Sequence, residues 1–209
     1  MNSVFLEFVR HVVHGEIDEA SRRLVATPAL ATAAAEVGAA RQGAPDFFFA
    51  EIAHYLYAGD TALHMAAAAF RRPIAMLLVA HGADCHAKNR RGAQPLHYAA
   101  DANQWEPTAQ AEIIEYLLSV GADPNALDMS GVAPLRRAVR TRSLPAVRAL
   151  LDGGTATRPL LFHRHHDSDC RVRRHVGRWV QVPPIAETSV RVPSTDLERR
   201  FEHQARSDT

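Results

Sequence analysis

The sequence predicts an all-α fold: a solenoid of stacked helix pairs with an atypical N-terminal helical cap and a non-repeat C-terminal tail. Three observations carry this. Segments beginning at Gly59, Gly92 and Gly131 align with one another, 33 residues apart from Leu63 to Leu96 and 39 from Leu96 to Leu135. Each segment holds two short runs of apolar residues at helical spacing, with a turn between them. Alanine occurs 35 times in residues 1–157 and twice in 158–209, so the pattern stops well before the chain does. A short helix pair cannot bury its own apolar face, and stacking on similar pairs buries it.

The elements follow in order. In residues 1–37, Val4, Phe5, Phe8, Val9, Val12 and Val13 keep a helical spacing; His14-Gly15 breaks it, and Ile17, Ala20 and Leu24 resume it. This reads as a helix pair serving as the cap that the end of a solenoid requires. Residues 38–46 read as a loop. The segment 47–58 is rich in aromatics, and Phe48, Ile52, Tyr55 and Leu56 would share one helical face. It is therefore predicted to be a helix packed on the first unit, with a partner-binding aromatic patch as the sharper alternative. In the units, Thr61 can cap the first helix through its hydroxyl, and Pro95 and Pro134 sit where a helical N–H has no partner anyway. Gly82, Gly121 and Gly154 follow the second helices, where a left-handed residue ends a helix. Leu63 to Leu78 and Leu135 to Leu150 are each 15 residues apart, but Leu96 to Leu117 is 21. The difference puts an insertion at Ala102–Thr108, predicted to be a projecting loop with Trp105 as its one large apolar group.

The residues that carry the repeat resemble those of ankyrin repeats: Thr61-Ala62-Leu63-His64, Gln94-Pro95-Leu96-His97, Ala133-Pro134-Leu135-Arg136, Gly82-Ala83-Asp84 and Gly121-Ala122-Asp123-Pro124-Asn125. The resemblance divides the chain into a cap or atypical repeat (1–58), three repeats (59–91, 92–130 and 131–157) and a tail (158–209). It implies that His64 and His97 are structural imidazoles satisfying backbone groups near the helix start. It also implies a non-catalytic scaffold for protein–protein interaction through a concave face and loop tips. Ala62, Gln94 and Arg136 depart from the pattern. The third repeat ends in Gly153-Gly154-Thr155, which leaves its packing and capping open.

Composition narrows the function classes. Net charge is +1, with a single lysine, Lys88, so nothing in the total calls for nucleic acid or an anionic membrane. The same scarcity argues against a phosphate-binding loop or a Schiff-base lysine. Two cysteines build no disulfide framework. No run approaches the ~20 apolar residues that span a bilayer, and the N-terminus is interrupted by charge as a signal peptide is not. The reading is a cytoplasmic monomer with no cofactor, no membrane partner and no nucleic acid. Glu51-x-x-His54 is half of a di-iron pattern without its other half, and His11 with His14 makes two ligands, fewer than a metal site needs. The densest ligand cluster, His163, His165, His166, Asp169, Cys170 and His175, follows no structural-zinc spacing. Metal or anion binding through this His/Arg-rich tail is one alternative function. An enzyme site near the aromatic segment and the insertion is another. The tail otherwise reads as a poorly ordered extension, in which Val180, Val182, Val190 and Val192 alternate with polar residues as a short strand would.

The candidate interaction surface follows from phase. The residue after the histidine position is Met65, Tyr98 and Arg137 in successive units. Asp101 and Arg140 lie three residues further along the same face. The loop tips carry Asn89, Arg90, Arg91 and Met129. Together with Trp105 these are the predicted partner-binding residues. Arg90, Arg91, Arg137 and Arg140 should line one side of a body in which residues 1–157 hold fourteen basic and sixteen acidic side chains. The predicted partner is therefore a protein with an acidic surface.

Overall fold

The structure, a computed structural model, describes residues 3–40, 44–101, 106–155, 171–173 and 179–181. The chain divides into two units, residues 1–163 and 164–209.

The first unit is a stack of helix pairs. Helices α1 (Ser3–His14) and α2 (Ile17–Ala26) form the N-terminal pair. Gly15, at φ +83°, makes the turn between them. Phe5, Phe8, Val9, Val12 and Val13 form the buried stripe of α1, as their spacing requires, while Val4 stays outside it. Three further pairs follow: α3 (Ala62–Ala68) with α4 (Arg72–Ala80), α5 (Pro95–Ala99) with α6 (Pro107–Ser119), and α7 (Pro134–Arg140) with α8 (Leu144–Asp152). The inner helices α1, α3, α5 and α7 pack in sequence, and the outer helices α2, α4, α6 and α8 do the same. Alanine is what lets the inner row approach closely: Ala66, Ala67, Ala99, Ala100 and Ala138 are fully buried. Leu63, Leu96 and Leu135 on the inner row, and Leu78, Leu117 and Leu150 on the outer, are at most 1% exposed. Each such leucine contributes roughly 1.5–3 kcal/mol of transfer free energy.

The outer helices α4, α6 and α8 end the same way. Gly82, Gly121 and Gly154 take φ of +91°, +97° and +86°. The N–H of the next residue reaches back to the carbonyl of Leu78, Leu117 or Leu150. The third repeat is thus capped like the others despite its altered residues. Thr155 supplies the returning N–H, and its hydroxyl donates to the same Leu150 carbonyl at 2.6 Å.

Between the pairs the chain runs out into loops, here called fingers. Neighbouring fingers are joined by backbone hydrogen bonds: Arg90 N–H donates to Ala58 C=O at 2.9 Å, and Met129 N–H to Arg91 C=O at 2.8 Å. Gly59 permits the approach, since a β-carbon there would sit 2.9 Å from the Cα of Asn89.

Two sequence-based expectations are corrected. The segment 47–58 is not a helix. Strands β1 (Phe48–Phe49) and β2 (His54–Tyr55) pair antiparallel around a 3-10 turn, Ala50–Ile52, that closes on Ala53 in the left-handed region at φ +46°. Ile52 and Leu56 are buried, but Phe48 and Tyr55 pack on each other with ring centres 4.8 Å apart and stay partly exposed. The insertion in the second repeat is not wholly a loop. Helix α6 begins at Pro107 and runs 13 residues, against nine for α4 and α8. Pro107 and Thr108 are therefore its first residues. Trp105 lies outside the described residues.

In the second unit, β3 (Arg171–Arg173) pairs antiparallel with β4 (Trp179–Gln181), placing Val172 opposite Val180. The cluster His163, His165, His166, Asp169, Cys170 and His175 lies outside the described residues.

Candidate functional site

The histidines of the repeat bind each unit to the next. His64 accepts on Nδ1 from the Thr61 N–H (3.1 Å) and donates from Nε2 to the Ala93 carbonyl of the following unit (3.0 Å). His97 does the same with the Gln94 N–H (3.1 Å) and the Val132 carbonyl (3.0 Å). Both imidazoles are neutral in this arrangement. Burial lowers the pKa of each, and for His97, with Arg137 adding to the effect, it falls to about 4. In the third unit the position is Arg136, which is exposed.

Each of the second and third fingers is knotted by one Asx residue. Asn89 Oδ1 accepts from the N–H groups of Arg91 and Ala93, and Asp128 Oδ1 from those of Ser130 and Val132. Asn89 Nδ2 turns inward, to Asp60 Oδ1 at 2.9 Å and the Tyr98 hydroxyl at 2.8 Å. Tyr98 donates to the Asp60 carboxylate at 2.7 Å. Burial, together with that carboxylate, holds the Tyr98 phenol well above its ordinary range. The ring of His54, from β2, covers Tyr98 at 4.5 Å.

A second network lies beside the first. Arg137 pairs with Asp101 at 2.7 Å and Asp128 at 2.8 Å, while Arg140 pairs with the other oxygen of Asp101 at 3.0 Å. Burial works against the charge on Arg137, and the two carboxylates more than restore it. For Asp128, burial alone would raise the pKa. The Arg137 hydrogen bond and the amides of Val132 and Ser130 outweigh it and lower the value.

These networks floor a cleft of about 690 Å³ between the fingers and the inner helices α5 and α7. The finger side carries Arg90, Arg91, Met129 and Ser130; the helix side carries Asp101, Arg137 and Arg140. The Arg91 guanidinium stacks over the Tyr57 ring at 4.2 Å, and Arg90 lies 5.5 Å from the same ring while also donating to the Ala39 carbonyl.

The four arginines expected on one side do line this one cleft. Several other candidates are not free to meet a partner. Met65 is fully buried, because α3 is flanked by α1, α5 and the 3-10 turn Pro28–Ala31. Tyr98 is buried by its bond to Asp60 and by the His54 ring, and Asn89 by its finger-knotting bonds. Asp101 is held by two arginines, and Arg137 is only 13% exposed in its side chain. Arg90, Arg91, Met129 and Arg140 stay exposed, Met129 at 79%. The sequence reading missed His54, Tyr57, Asp60 and Asp128. A signal existed for Asp128: like Asn89, it stands three residues before a repeat glycine. The paired motifs also separate. Glu51 meets His14 at 3.2 Å, His54 bonds the Tyr55 carbonyl, and His11 pairs with Glu16. Among the described residues no three His, Cys, Asp or Glu side chains converge as metal ligands would, and no helix is long and apolar enough to cross a membrane.

Comparison with known proteins agrees with this geometry. A family model described as ankyrin repeats (3 copies) matches residues 37–128. The match takes in the aromatic finger and stops short of α7 and α8, which repeat the same cap and core geometry. An ankyrin repeat protein of Fowlpox virus (strain NVSL) is 30% identical over 79 residues, which is 38% of this chain and 11% of that protein. The chain thus spans about a tenth of the length of that relative. With stacked pairs, in-phase histidine ties and the family match in agreement, the body of this chain is an ankyrin-repeat solenoid.

Proposed function

We propose that the chain is a non-catalytic scaffold that binds a partner protein along the cleft and finger tips, and that the partner presents an acidic surface. Ankyrin repeats in general serve protein interaction. One observation carries the finer reading. Arg90, Arg91 and Arg140 are exposed at the cleft rim, while both carboxylates within it, Asp101 and Asp128, are already held by Arg137. Exposed guanidinium groups steer an acidic surface and make charge-assisted hydrogen bonds to it. The same pairing disfavours an enzyme site here, since neither carboxylate is free to exchange a proton with a substrate.

The test begins with affinity capture using the tagged full chain and identification of what is retained. The association rate of a purified captured partner is then compared between the wild-type chain and Arg91→Glu, at low and moderate salt. The reading expects a slower rate for the variant, with the difference narrowing as salt rises. Equal rates at both salt concentrations would reject it. Arg91 is the cleaner choice because Arg90 also holds the Ala39 carbonyl.

A further inference from the structure

We infer that the cleft receives an extended peptide segment bearing carboxylate side chains, one of which takes Arg140 from Asp101 and another of which meets Arg91, with an apolar side chain lying on Met129. This rests on the proposed acidic partner and names the form in which that partner is recognised.

The argument starts from how unequally the four arginines are held. Arg137 is committed: nearly buried, it makes two short bonds to two carboxylates. Arg140 is not. Its side chain is 71% exposed and, among the described residues, makes one bond, 3.0 Å long, to Asp101. The other oxygen of Asp101 stays bound to Arg137, so Arg140 can leave without stranding a buried charge. An incoming carboxylate therefore replaces one exposed pairing by another at little cost.

Arg91 is ready in a different way. Its guanidinium carbon sits 4.2 Å from the centre of the Tyr57 ring before any ligand arrives, so part of its side-chain freedom is already spent. Among the described residues it meets no carboxylate. The Arg91 C=O to Met129 N–H bond ties the neighbouring finger to this one, which sets the exposed thioether next to the Arg91 guanidinium's finger rather than elsewhere on the stack. Methionine adapts to many apolar partners. The cleft thus offers a cation on each wall and an adaptable apolar surface on one of them.

Shape selects a segment over a flat surface. At about 690 Å³ the space exceeds one carboxylate and falls in the range of roughly 300–1,000 Å³ in which a ligand of several groups is enclosed. A flat folded surface can touch the rim arginines but leaves the space between the walls unfilled. A chain in extended form, with side chains pointing alternately to either side, reaches both walls at once.

The probe is the peptide Ser-Glu-Leu-Glu-Glu-Leu-Glu-Ser carrying fluorescein, followed by anisotropy on the full chain, with methyl NMR of Met129. Binding is expected with a shift of the Met129 methyl signal. Affinity should fall about tenfold for Arg91→Gln and for Arg140→Gln, and stay unchanged for Arg148→Gln, an exposed arginine of the outer helix α8 outside the cleft lining. Asp101→Asn should tighten binding, because it removes the carboxylate that competes for Arg140. A peptide with lysine in place of glutamate that binds equally well overturns the inference. So does a glutamate peptide indifferent to both arginine substitutions, or a phosphoserine version that binds where the glutamate peptide does not. If no peptide binds but a folded partner still depends on Arg91, the acidic-partner reading stands and the segment falls. If the partner is indifferent to Arg91 as well, both fall.

Discussion

His97 accepts on one ring nitrogen and donates from the other, so only one neutral tautomer satisfies both bonds. Protonating Nδ1 would set a second donor against the Gln94 N–H. The folded-state pKa of about 4 lies below the ordinary 6.5 of an unfolded imidazole. The sign follows: between these values the unfolded chain binds more protons, so stability falls as pH drops. The contribution is complete above about pH 6.5, declines toward pH 4 and amounts to about 3 kcal/mol at most. Denaturant melts across this window should show the decline. An NMR titration of His97 with a midpoint near the unperturbed value would contradict the mechanism. The histidines were legible in the sequence because they recur in phase. The roles of Asp60 and Tyr98 were not, because the hydroxyl–carboxylate bond joins residues 38 apart that share no motif.

Gln110 shows how one side chain joins elements. From α6 it donates to the Ala99 carbonyl of α5 at 2.9 Å and accepts the Ser143 hydroxyl, which precedes α8, at 2.6 Å. All of this is buried. Gln110→Ala leaves a carbonyl and a hydroxyl without partners, and should cost roughly 1–3 kcal/mol in a denaturant melt. A loss near zero would mean that water replaces both bonds. The turns between inner and outer helices carry a second device. Phe70 and Arg142, in phase in the first and third repeats, both take positive φ, +54° and +59°. Arg142 is exposed, so Arg142→Gly relieves backbone strain without opening a cavity, and stability should rise by up to about 1 kcal/mol. A lower melting midpoint would show that the arginine side chain matters more than its backbone. Sequence reasoning looks for glycine or asparagine at such turns and so passes these by. The aromatic finger failed for a related reason. Phe48, Ile52, Tyr55 and Leu56 fit a helical period over a stretch too short to exclude a hairpin, and the reversal occurs at Ala53, which carries no turn signal.

At the scale of the molecule the body is a one-dimensional stack, in which each pair gains stability only from its neighbours. Leu96 lies in a unit with neighbours on both sides, Leu150 in the last described pair of the body. Either leucine cut to alanine should cost roughly 2–5 kcal/mol at its own site. The consequences differ. Leu96→Ala should lower one shared transition, whereas Leu150→Ala should release α7 and α8 first, seen as faster amide hydrogen exchange there than in α3 and α5. Uniform exchange throughout in the Leu150 variant would mean that the stack melts as a single block. The stack itself was legible because its signal repeats several times. Of the cleft, the arginines and Asn89, Tyr98, Asp101 and Met129 were legible, but the pairing was not, since Arg137 is neutralised by Asp101 and Asp128 arriving from different turns of the chain. Arg136 has a consequence for how such an array can lengthen. Arginine has donors only, so it can neither accept the helix-start N–H nor repeat the two-sided grip that His64 and His97 make on the unit ahead. A duplicated unit spliced in before residue 131 would find both of its seams already cut to fit. The same unit joined behind α8 would have to wait for a codon change at 136, so the array is easier to extend from within than from its end.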